Sequence, residues 1–161
     1  MEHLWAPWRM QYIAGPPRPG CLFCRVIEHA DDPDADLVVS RPDGAVVLLN
    51  KFPYNPGHAL VAPTAHRPGL EELDDREACA LVRALTLTIG VLRKALAPDG
   101  FNVGVNIGRA AGAGIPDHVH FHVVPRWNGD TNFMAVIDDV KVVPEALQQT
   151  AEKLRKAFAA S

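Results

Sequence analysis

The segment His118-Val119-His120-Phe121-His122-Val123-Val124-Pro125 constrains this chain more than any other. Side chains alternate across a β-strand, so the three histidines share one face, and Val119, Phe121 and Val123 share the other. Successive imidazoles then stand roughly 6.5–7 Å apart along the strand. The apolar set can pack on a helix, leaving a row of imidazoles along a concave surface. Three imidazoles buried together each need a hydrogen-bond partner or a ligand. Three readings follow: a structural row of satisfied rings, a catalytic metal site built on His-x-His, or nucleophilic catalysis on phosphorus. The motif alone does not separate the last two.

The rest of the chain supplies a mixed framework. Residues 1–20 form an irregular arm, since Pro7, Pro16, Pro17 and Pro19 forbid a long helix there. It carries Trp5, Trp8 and Tyr12. Cys21-Leu-Phe-Cys24 opens a short helix to about Glu28. The runs Val38-Val39, Ala45–Asn50, His58–Ala62, Phe101–Asn106 and His118–Pro125 read as strands separated by turn signals. Between Leu70 and Ala97, apolar residues recur at helical spacing, with acidic residues early and Arg93 and Lys94 late. A last helix is expected from Pro144, with the stripe Leu147, Ala151, Leu154 and Phe158. Neighbouring strands joined by short turns, with one long helix inserted, predict an α+β fold with an antiparallel sheet. Residues 21–161 are expected to form one domain behind the arm.

Composition narrows the function classes. Of 161 residues, 48% are apolar and 22% charged, as in an ordinary globular domain. The formal charge of −3 predicts no nucleic-acid partner. No run of about 18 apolar residues is available to span a membrane. Three cysteines, one of them unpaired in the sequence, fit a secreted disulfide framework poorly, so a cytoplasmic protein is expected.

With these residues in view, the chain resembles the histidine triad (HIT) family of nucleotide hydrolases and transferases. Val47–Asn50, Asn55–His66 and Val105–Gly108 are similar to further blocks of that family, in family order. The segments Leu4–Arg9 and Pro125–Phe133 resemble one bacterial branch, the diadenosine tetraphosphate phosphorylases and their relatives. The resemblance implies a HIT-like fold with a five-stranded antiparallel sheet, one long helix and a C-terminal helix. It implies His120 as nucleophile, forming a nucleotidyl-histidine, and His122 as donor to the α-phosphate oxygens. Asn50 matches a ribose contact and Asn106 a position near the phosphate.

The glycine-rich loop Gly108–Gly114, including Gly112 and Gly114, allows backbone N–H groups to cradle phosphate. Many triad enzymes carry a hydroxyl residue or glutamine where this chain has Gly114 and Ile115, so the leaving-group contacts differ. The galactose-1-phosphate uridylyltransferase branch has glutamine where this chain has His122, which argues against sugar-nucleotide exchange. Trp127 either lines the pocket or packs in the core or a dimer. Arg126 either binds phosphate or is a solvated charge.

The resemblance also implies a structural zinc held by Cys21, Cys24, His66 and His118, with no metal needed for the chemistry itself. Cys79 is expected to be an inert interior thiol. The expected activity is cleavage of dinucleoside polyphosphates through the covalent histidine, with phosphate or water as acceptor. Alternatives are hydrolysis of nucleoside phosphoramidates or mononucleotide esters, a metal-dependent hydrolase using the histidines as ligands, or a nucleotide sensor. A homodimer or dimer of dimers is expected, in which the aromatic arm has an interfacial role or covers its own sheet.

Overall fold

A computed structural model describes residues 19–130 and 146–161. The expected aromatic arm, apart from its last two residues, lies outside them, as does Pro144. Five strands form one antiparallel sheet: β1 (Val38–Ser40), β2 (Ala45–Leu49), β3 (Ala59–Pro63), β4 (Gly100–Val105) and β5 (Phe121–Arg126). Their spatial order is β1-β2-β3-β5-β4. Three α-helices accompany them: α1 (Leu22–Glu28), α2 (Asp75–Leu96) and α3 (Leu147–Ala159).

All five residues of β2 and of β3 are buried, because both faces of these strands are covered. On one face Val47, Leu49, Val61 and Val123 pack with Leu81 and Leu92 of α2 and Leu154 of α3. On the other, Val46, Leu48, Leu60 and Ala62 pack under Phe23 and Val26 of α1. Deleting one of these larger side chains to alanine costs roughly 2–5 kcal/mol. The stripe Leu147, Ala151, Leu154 and Phe158 meets the first of these clusters, as its spacing predicts. Among the described residues its helix runs from Leu147 to Ala159.

The long helix begins later than the periodicity predicts. Leu70–Glu72 is a separate 3-10 turn, and Asp74 is the N-cap of α2. Its Oδ1 accepts the Glu77 amide at 2.7 Å, while Glu77 Oε2 accepts the Asp74 amide at 3.0 Å. This reciprocal capping box ends the helix at a definite residue. Leu70 and Leu73 still pack against the core, which is why their spacing looked helical. The other end stops where Ala97 turns into the left-handed region at φ +47, just before Pro98.

The histidine segment is likewise only partly a strand. Pairing with β3 and β4 ends at Phe121, opposite Val61 and Val105. His118–His120 is a lead-in, tied by the Val119 amide to the Arg67 carbonyl at 2.6 Å. Arg67 in turn grips Glu77 with two guanidinium nitrogens at 3.3 and 3.1 Å, linking this lead-in to the cap of α2. At the other end of β3, Gly57 turns the chain at φ +76, where an added Cβ would sit 2.4 Å from Leu96. That turn delivers His58 to the sheet.

Replacing Asp74 with alanine should cost about 1 kcal/mol. Thermal unfolding should register this as a melting point lower by about 2–4 °C.

Candidate functional site

The imidazoles are less open than an uncovered row. His118 is fully buried and His120 is 3% exposed. Phe23 of α1 lies over both, with ring centroids at 5.0 and 4.9 Å. Both rings are covered by α1, which closes over the same face that holds Leu48 and Leu60. His122 is half-buried and lines a groove.

Each ring's role follows from its partners. His120 Nδ1 lies 2.9 Å from the His118 carbonyl oxygen. A carbonyl only accepts, so Nδ1 carries the hydrogen and Nε2 keeps a lone pair. Burial lowers the pKa of His120, keeping that lone pair available at neutral pH. His122 is pushed down to about 4, first by burial and then by repulsion from His120. It is therefore an uncharged donor near pH 7, not a cation.

His58 completes the set, and the sequence reading gave it no role. It is fully buried, its Nδ1 accepts the Tyr54 amide at 3.1 Å, and its Nε2 lies 3.0 Å from His122 Nδ1. With Nδ1 accepting, neutral His58 carries its hydrogen on Nε2 and donates to His122. His122 must then hold its own hydrogen on Nε2. A main-chain amide thus fixes the tautomer of His122 through a second imidazole. The signal was a histidine on the Leu60 face directly before a strand with no polar residue, where burial demands partners.

The other expected site residues distribute unevenly. Asn50 Oδ1 accepts the Phe52 amide at 3.0 Å, and its Nδ2 lies 3.4 Å from His58 Nδ1, so it belongs to this cluster. Asn106 follows β4 and is half-buried. Gly112, at φ +83, ends the short turn Arg109–Ala111, and Gly114 is exposed in the loop leading to His118. Arg126 is committed: Nε and one terminal nitrogen grip Asp130 at 2.6 and 2.8 Å, and the other donates to Asn102 at 2.6 Å. Trp127 is half-buried in the turn after β5, its amide donating to Asp130 at 3.2 Å. Beside His122, Tyr54, Asn102, Gly104 and Arg126 border an open groove of about 480 Å³.

A second centre adjoins the first. One donor atom from each of Cys21, Cys24, His66 and His118 lies within 4.8 Å of the other three. Nδ1 of His118 faces the two sulfurs at 3.3 and 3.7 Å, and Nδ1 of His66 faces Cys24 at 3.2 Å. His118 Nε2 donates to the Pro63 carbonyl at 2.9 Å, which directs the Nδ1 lone pair into the cluster. Burial, and next the neighbouring Cys21, push the Cys24 thiol up to about 11. A divalent cation would reverse that penalty, so the four donors form a set that can hold a metal ion. The remaining cysteine departs from expectation: Cys79 is exposed on α2, because it sits on the face turned away from Leu81 and Ala84. No described helix is long and apolar enough to cross a membrane.

Comparison with known proteins agrees with this geometry. The HIT domain family matches residues 33–129. Over 168 aligned residues the chain is 38% identical to the AP-4-A phosphorylase of Mycobacterium tuberculosis, covering 99% of this chain and 85% of that protein. It is 31% identical to the adenosine 5′-monophosphoramidase of Schizosaccharomyces pombe, covering 83% of this chain and 95% of that protein. A zinc-bound histidine triad family protein from Mycobacterium smegmatis is similar in structure, with a TM-score of 0.70 at 26% identity, covering 88% and 94% of the two chains.

The hydrogen-bond relay makes a spectroscopic prediction. Proton–nitrogen correlation spectra should show His122 as the uncharged Nε2–H tautomer from pH 8 down to about 5. A free histidine titrates near about 6.5. Because the folded value is the lower one, the stability His122 lends is complete above about 6.5 and is lost as the pH falls toward 4. A His122 resonance titrating near about 6.5 would contradict the relay.

Proposed function

The chain belongs to the HIT domain family, and on that basis we propose that it cleaves dinucleoside polyphosphates through a nucleotidyl-His120 intermediate. One observation carries the reading: the His118 carbonyl holds the Nδ1 hydrogen of His120, leaving Nε2 as the lone pair. Nε2 attacks the α-phosphorus, a P–N bond forms, and the P–O bond to the remaining polyphosphate breaks. The leaving group departs as an anion and needs no proton. As the ring becomes cationic, its Nδ1–H bond to the carbonyl strengthens, which favours the transition state over the ground state. His122 donates through Nε2–H to a non-bridging oxygen where negative charge collects. Water or phosphate then displaces His120 from phosphorus and restores the neutral ring.

The AP-4-A phosphorylase relative supports a dinucleoside substrate and phosphate as acceptor. The phosphoramidase relative supports a second reading, in which the same two steps release an amine. The metal-dependent reading is less well supported. Only His118 of the triad joins the cysteine cluster, and His120 Nδ1 is spent on a carbonyl.

In this proposal Asn50 contacts the ribose. Asn106, Gly112 and Gly114 lie toward the phosphates, and Trp127 flanks the site. Zinc fits the second centre, since two thiolates and two imidazoles close a tetrahedron without an open position for water. When bound it supplies no chemistry at phosphorus; it holds the segment that presents the His118 carbonyl. Residues 21–161 act as one domain behind the arm. A homodimer is favoured by β4, an outer strand with Val103 42% exposed, and by Val82 of α2, 57% exposed.

With diadenosine tetraphosphate, ADP should appear alongside ATP only when inorganic phosphate is added. AMP and ATP in both conditions would make water the acceptor. His120→Ala should lower kcat by roughly 10⁴ or more while nucleotide binding persists. Cys24→Ser should lower metal content and melting temperature together. Unchanged zinc stoichiometry by elemental analysis would refute the metal assignment.

A further inference from the structure

Gly104 is out of place by ordinary strand chemistry. It lies inside β4, where glycine costs conformational entropy and contributes no side chain to packing. Its φ is not in the left-handed region, and a Cβ added there would meet none of the described residues within 4 Å. Neither a turn nor crowding by the described residues therefore requires glycine. Gly104 pairs directly with His122 in the β4–β5 ladder, so any side chain there would stand on the imidazole face beside His122. The missing Cβ instead leaves room in the groove that His122 borders.

The chemistry of the groove selects its occupant. Its volume, about 480 Å³, suits a group of nucleoside size. Arg126 stands at its edge, but all three guanidinium nitrogens are engaged by Asp130 and Asn102. The walls offer few uncommitted charges for phosphate. They do offer the Tyr54 ring, 61% exposed and stacked on His58 at 4.9 Å, together with a bare stretch of strand at Gly104. An aromatic wall beside a flat backbone floor suits a planar, uncharged heterocycle.

Position fixes which heterocycle this is. α1 covers the β2–β3 half of this face, and Asn50, the ribose contact of the proposed site, follows β2. The floor of the groove lies on β4 and β5, at Asn102, Gly104, Val124 and Arg126, on the far side of His122 from β2, while Tyr54 and Asn55 of the loop between β2 and β3 form its rim. A nucleotide held at Asn50 with its α-phosphorus at His120 therefore points its leaving group across His122 into the groove.

We propose that the groove over Gly104, walled by Tyr54, binds the distal nucleobase of the leaving nucleotide, and that Gly104 makes the enzyme selective for dinucleoside substrates. This inference rests on the substrate reading above and extends it to the second half of the substrate.

The test compares two substrates in one protein. Diadenosine tetraphosphate carries the distal base, whereas adenosine 5′-phosphoramidate carries only ammonia in its place. The quantity measured is the ratio of their kcat/KM values in wild type, Gly104→Ala and Gly104→Val. Valine suits a strand, and the open space at this position accommodates it, so folding should persist. The ratio should fall progressively, by at least tenfold for valine, mainly through KM for the tetraphosphate. An equal loss on both substrates, or an unchanged ratio, would overturn the assignment. A wild type that hydrolyses the phosphoramidate but never the tetraphosphate would refute the substrate reading itself, and the occupant of the groove with it, before any variant is made.

Discussion

The hydrogen bond from His120 Nδ1 to the carbonyl of His118 is the contact on which the rest of the site depends. It decides which nitrogen of His120 carries the lone pair, and it is made by main chain rather than by a carboxylate. A carboxylate there would raise the pKa of the ring and favour imidazolium at neutral pH. A carbonyl orients the ring without adding a full charge, so burial can keep it neutral. The same peptide belongs to a residue whose side chain is fixed on both nitrogens, by the Pro63 carbonyl and by the cysteine pair. The orientation of His120 is thus tied, through the main chain of His118, to the cysteine–histidine cluster.

Four imidazoles sit close together, and burial disfavours the charged form of three of them, His118, His120 and His122. Ring centroids of His58 and His122 are 5.2 Å apart, and those of His122 and His120 are 5.0 Å apart. Two full positive charges at such separations in a poorly solvated site would repel strongly. Neutrality turns the cluster from a source of repulsion into a directional chain, from the Tyr54 amide through His58 to His122. The buried Asn55 holds the turn carrying this chain, donating to the Pro125 carbonyl at 2.9 Å and to Asp130 at 2.7 Å. The loop before β3 and the turn after β5 are therefore bound to each other on either side of the histidines.

Periodic features of the fold were legible in the sequence, and contextual ones were not. The alternation at His118–His122 correctly placed the histidines on one face, since alternation depends only on local backbone geometry. The stripe of α3 and most of α2 were equally readable. The start of α2 was misread because Leu70 and Leu73 reach the same core from a 3-10 turn, so their burial mimics helical spacing. Cys79 was misplaced because a cysteine on an amphipathic helix has no sequence mark for its face. His58 had no assigned role, since its importance lies in a partner 64 residues away. The burial of His118 and His120 depended on Phe23 closing over them, which no spacing within the strand could reveal.

The sheet order explains why one face can be both core and histidine-lined groove. Placing β5 between β3 and β4 puts the triad segment next to a fully buried strand on one side and an exposed one on the other. α1 has only seven residues, about 10 Å of helix at 1.5 Å per residue. The core cluster it joins takes in residues of β1, β2 and β3 but none of β4 or β5. The boundary of its cover therefore falls along the histidines, with His120 inside and His122 at the edge. A longer α1 would bury His122 as well as His120 and close the groove; a shorter one would hydrate both rings and return their pKa values toward that of free histidine. The boundary between buried and groove-lining imidazoles is set by where a short helix ends over the sheet, and the two-residue spacing of His120 and His122 is what places one on each side of it.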